Sequence, residues 1–115
     1  MIGGVLVASR MIRTILANDR AEVEMQVLGE QSARVFTYEI KSLDGGWFQT
    51  FACVASRDVV SGEWLSDVEF SSFSTPTDSL QALRLWTHDT AKEKARDLAR
   101  YFRKKGEKVS TRTVR

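Results

Sequence analysis

The chain has 115 residues, 43% hydrophobic and 28% charged, with a formal net charge of +2. That composition suits a single domain, 1–115, whose core needs neither disulfides nor metal, and it excludes a disordered chain. No apolar run approaches a membrane span, no basic leader precedes a secretory-type apolar stretch, and the lone Cys53 permits no internal disulfide framework; a cytoplasmic setting with no membrane partner is expected.

In chain order, residues 5–16 are ambiguous. Val5, Ala8, Ile12, Ile15 and Leu16 suit a helix face, yet the β-branched Val5, Val7, Ile12, Thr14 and Ile15 favour a strand. The turn signal Ala17-Asn18-Asp19-Arg20 and the extended segment after it favour a hairpin. From Ala21 to Leu28, Ala21, Val23, Met25 and Val27 alternate with Glu22, Glu24 and Gln26, the signature of a strand with one buried face. A second alternating strand runs from Arg34 to Leu43. Asp44-Gly45-Gly46 then supplies a tight hairpin with positive φ angles. Trp47 to Ser56 is apolar on both faces, which points to a central position in the sheet. A weaker extended segment covers Glu63 to Phe73, with Trp64, Val68 and Phe70 on one face.

Helical signals begin at Thr75-Pro76-Thr77-Asp78, where a capping hydroxyl precedes a proline at the first helical position. Ala91, Ala95, Leu98 and Phe102 form an apolar stripe whose backward extension leaves Leu85 and Trp86 on the wrong side. A break near Thr87-His88-Asp89, with Thr90-Ala91-Lys92-Glu93 as a second capping pattern, predicts two consecutive helices over 76–87 and 90–105, with one long helix as the alternative. Gly106 suits the left-handed residue that ends a helix. Lys108 to Val114 can add a short last strand. The expected fold is therefore α+β: an antiparallel β-meander of four to five strands with the C-terminal helical region packed on one face.

A short meander, an Asp-Gly hairpin and the helix opening Asp78-Ser79-Leu80-Gln81-Ala82-Leu83 together resemble a family of small uncharacterised bacterial domains. The resemblance reaches to about Leu85 and implies a fold with no activity attached. The chain departs from it in the Val59–Phe73 segment and in its long basic C-terminal helix and tail.

The charge is unevenly placed. Residues 91–115 hold ten basic and three acidic residues, a net of +7; the remainder, with seven basic and twelve acidic, carries −5. Lys92, Arg96, Arg100 and Arg103 fall opposite the apolar stripe, and Lys104, Lys105, Lys108, Arg112 and Arg115 continue the series past the helix. Such a row can follow a phosphate backbone, or it can dock on the protein's own acidic strands. Phe36, Tyr38, Trp47 and Trp64 could stack on bases if exposed, but the core is their expected place.

Catalytic candidates are weak. Cys53 sits among Phe51, Ala52, Val54 and Ala55, an apolar context for a core thiol with no activating cation beside it. His88 has no orienting partner, because Asp89 points to another helix face. Asp67 and Glu69 share one strand face and could hold a metal or form an acid–base pair; solvated carboxylates are the plainer reading. No metal site, cofactor or catalytic residue is expected. Two functions fit: a non-enzymatic module that uses the basic segment on nucleic acid or an acidic protein surface, or a protein-binding module of the immunity or inhibitor type, or a homo-oligomer, with Trp47 and Trp64 at the interface.

Overall fold

The computed structural model describes residues 9–65, 69–73 (backbone only) and 75–115. The protein is α+β. Five strands, β1 (Ser9–Leu16), β2 (Arg20–Val27), β3 (Ser32–Ser42), β4 (Phe48–Asp58) and β5 (Glu69–Phe73), form an antiparallel meander. One helix, α1 (Leu80–Lys104), returns across the sheet, and β6 (Lys108–Val114) adds beside β1 in parallel. The spatial order is β5-β4-β3-β2-β1-β6. The ambiguous first segment is a strand from Ser9; its earlier residues lie outside those described, as do Asp67 and Val68. β4 stands one place in from the β5 edge.

Turn chemistry follows the residues. Gly45 and Gly46 take φ values of 77° and 80° in a 3-10 turn, and the Leu43 N–H closes on the Trp47 carbonyl at 2.6 Å. At the first hairpin the Ala17 N–H donates to the Arg20 carbonyl at 2.8 Å.

The helical region is one helix of 25 residues, not two. Its N-cap is Ser79, whose hydroxyl accepts from the Ala82 N–H; Thr75-Pro76 lies outside the helix, and Thr77 forms an isolated bridge with Phe48. The second capping pattern at Thr90 goes unused inside the helix. The reason lies in the buried line, which runs Leu83, Thr87, Ala91, Ala95, Ala99. A four-residue repeat advances about 40° round an α-helix at each step, so the contact line spirals instead of breaking. Spiralling suits the partner surface. The helix is about 37 Å long, and it packs in turn on β4, β3, β2, β1 and β6 of a sheet whose strands each rotate against the last. Leu85 and Trp86 are simply exposed. Thr87, read as a break, is fully buried, with its hydroxyl 3.0 Å from that of Thr50.

Under the helix, Ile12, Leu16, Ala21, Val23, Tyr38 and Ala52 form the core with Ala91, Ala95 and Ala99; Met25, Phe36, Leu98 and Val109 pack at its margin. Gly106, at φ 83°, ends the helix as expected. Its N–H bonds the Arg103 carbonyl, and the Glu107 N–H bonds the Phe102 carbonyl, a Schellman closure that turns the chain into β6.

Candidate nucleic-acid interface

The parallel pairing of β6 on β1 decides what the basic segment faces. Thr111 lies beside Ile12 and Thr113 beside Thr14. Strand alternation therefore turns Val109, Thr111 and Thr113 to the helix side of the sheet. Between this edge and the last turns of α1 runs an open groove of about 1020 Å³. Its floor is Thr14, Ala95, Ala99, Thr111 and Thr113; the helix supplies Lys92, Arg96, Arg100, Arg103 and Lys104, and the tail supplies Arg112 and Arg115. Seven of the twelve lining residues are basic and none is acidic.

Seven of the nine basic residues singled out in the sequence meet here. Lys105 does not; its ammonium lies 4.7 Å from the centre of the Tyr101 ring. A hydrogen bond and charge interaction with Tyr101 raise its pKa above the ordinary lysine value. Lys108 borders a separate, smaller hollow with Arg10, Met11 and Leu28. One geometric expectation is corrected in part: of the four helical cations, Lys92, Arg96 and Arg103 stand only about 60–100° round the helix from Ala95, on the flank beside β6, while Arg100 stands about 140° away, nearer to opposite. Arg103 also ties the helix to the edge strand, its Nη2 donating to the Val109 carbonyl at 3.1 Å. The floor threonines, and Thr14 above all, were invisible in the sequence; they reach the groove only through a strand pairing nearly a chain length apart.

These cations do not dock on the protein's acidic strands. Glu22 and Glu24 point to the opposite sheet face, away from Ala21 and Val23, and are taken up by arginines of that face. Arg13 and Arg57 bond Glu24 at 3.0 and 2.5 Å, and Arg57 and Arg20 bond Glu22 at 3.2 and 2.7 Å. The two carboxylates hold the Arg57 guanidinium charged, raising its pKa against the opposing effect of burial. On the groove side, among the described residues, Lys92, Arg96, Lys104, Arg112 and Arg115 join no ion pair. Arg100 meets Asp97 at 3.3 Å with both side chains more than half exposed, a pairing worth little in water.

The other candidates are scattered. Trp47 and Trp64 are both about half exposed, but they flank opposite ends of β4. That strand separates them by about 30 Å, so they make no common patch. Trp64 stacks on the Arg57 guanidinium at 5.0 Å. Phe36 and Tyr38 belong to the core side, with the Lys94 ammonium 4.7 Å above the Phe36 ring. Cys53 is half-buried on β4 and free. His88 is tied to the first hairpin: its Nε2 lies 2.6 Å from the Ala17 carbonyl, which can only accept, so Nε2 carries the proton. Arg84 bonds Asp19 of the same turn at 2.9 Å. Asp67 and the Glu69 side chain lie outside the described residues. Among those described, no group of three His, Cys, Asp or Glu side chains could hold a metal ion, and no helix is long and apolar enough to cross a membrane.

No family model, curated protein or solved structure matches the chain. The functional reading therefore rests on the groove itself.

Proposed function

We propose that this protein is a non-enzymatic binding module that holds nucleic acid in the groove between α1 and β6. One observation carries the reading: seven cations converge on a groove without a lining acid, while the strand carboxylates are neutralised on the other face. Clustered, unpaired cations raise the local potential and favour a ligand that releases counterions when it binds. The charge on the β6 edge also works against edge-to-edge pairing with a second copy, which would bring like charges together. Partner recognition through Trp47 and Trp64 would need two separate contacts and is the weaker alternative.

The test is fluorescence anisotropy with labelled nucleic acid at several salt concentrations. Every phosphate that a variant no longer neutralises lowers the log–log salt slope by about 0.7–0.9. Replacing Arg96, Arg100 and Arg103 together with Ala is expected to lower it by about 2–3 and abolish binding at physiological salt. Since Arg103 also anchors β6, a Lys92→Ala/Arg96→Ala/Lys104→Ala variant with an unchanged melting temperature serves as a second arm. Wild-type affinity in both variants refutes the proposal. No affinity for nucleic acid, with recovery of one stoichiometric protein partner, favours the alternative.

A further inference from the structure

Resting on that reading, we infer that the groove takes the sugar–phosphate backbone of a duplex and does not read bases. Three features carry this. First, the lining contains alanines, threonines, lysines and arginines and no aromatic ring. Sites that grip single strands rely on aromatic platforms for unstacked bases, and a groove without one offers such bases no compensation for leaving their neighbours. In a duplex the bases already stack on one another and need nothing from the protein.

Second, the cations are arranged in rows. Lys92, Arg96, Arg100 and Lys104 recur every four residues, about 6 Å apart along the helix axis. Arg115, just past the end of the edge strand, lines the other wall, while Arg112, which alternation turns to the far face beside Arg13, borders the groove at its rim. A single backbone can run between the two walls with its phosphates reached from both sides. Third, the floor carries hydroxyls, from Thr14, Thr111 and Thr113, which donate to phosphate or sugar oxygens without distinguishing one base from another. The exposed Tyr101 is no substitute platform. It lies on the other flank of the helix, edge-on to Phe102 and beneath the Lys105 ammonium.

The full chain is titrated against a labelled duplex of about two helical turns, a scrambled duplex of equal length and each separated strand, with inorganic polyphosphate as competitor. The two duplexes are expected to bind within about threefold of each other, since backbone contacts carry no sequence information. The duplex is expected to bind at least about tenfold tighter than either strand and to show the steeper salt dependence per contact. Tyr101→Ala is expected to leave duplex affinity unchanged. Single strands binding as tightly as the duplex, a strong preference between the two duplexes, or a large loss in Tyr101→Ala would overturn the inference while leaving nucleic-acid binding intact. Polyphosphate displacing the duplex at equal phosphate concentration would also overturn it, since duplex geometry would then add nothing. Failure of every nucleic acid to bind would instead remove the proposed function on which the inference rests.

Discussion

Glu24→Gln isolates the ion-pair network that frees the groove cations. The Glu24 side chain is 4% exposed and accepts from Arg13 Nη2 at 3.0 Å and from Arg57 Nη2 at 2.5 Å. A glutamine has the same shape but keeps one acceptor oxygen and turns an NH₂ donor towards guanidinium donors. A hydrogen bond to a charged group is worth about 1.5–3 kcal/mol, and two such bonds are weakened together. Arg57 retains Glu22 at 3.2 Å, and Arg13, 34% exposed, recovers some hydration, so the loss stays below the sum. A destabilisation of about 2–3 kcal/mol is expected, which lowers the melting temperature by roughly 8–20 °C for a domain of this size. The assay is urea unfolding at neutral pH, with an unchanged m-value showing that only stability has moved. Asp97→Asn is the control. It breaks an ion pair of the same type whose side chains are 65% and 59% exposed, and it should cost no more than about 0.5 kcal/mol. Equal, small effects in the two variants would refute the argument, because burial would then not distinguish the network from a surface pair.

Three further perturbations follow from local geometry. Gly106→Ala places a Cβ in open space but at φ 83°, so the cost is backbone strain alone, about 1–2 kcal/mol; a thermal melt within about 1 °C of wild type would contradict it. Asp58 accepts N–H bonds from Ser61 at 2.8 Å and Val60 at 2.9 Å, and these lower its pKa below the ordinary 3.8. Its contribution is therefore full above 3.8 and is lost as pH falls through the lower folded value. The protection of the Val60 and Ser61 amides, taken as exchange relative to the intrinsic rate at each pH, should fall in that acid window and, at neutral pH, in Asp58→Ala but not in Asp58→Asn. Burial raises the Tyr38 pKa above 10.0, so the folded state holds its proton longer than the unfolded chain. Stability should be full below pH 10.0 and decline as pH rises through the folded value, a decline that Tyr38→Phe removes; equal alkaline sensitivity in both proteins would place its cause elsewhere.

Much of this protein follows from its local sequence. The alternation in 21–27, the glycine turn at 45–46, the helix stop at Gly106 and the concentration of positive charge after Ala91 are properties of neighbouring residues, and neighbours are enough to specify them. Tertiary structure alone decided the rest. A straight apolar stripe implied a kink near Thr87, but a helix crossing a twisted sheet buries a spiralling line, and Thr87 finds its hydroxyl partner on β4. The groove depends on β6 pairing with β1, residues nearly a chain length apart, and no local pattern encodes that neighbour. The same pairing turns Thr14, Thr111 and Thr113 into a floor. Which sheet face the helix covers then leaves Glu22 and Glu24 on the other side. Charge content is a property of the sequence; which charges face one another is set by how the sheet closes and where the helix crosses it.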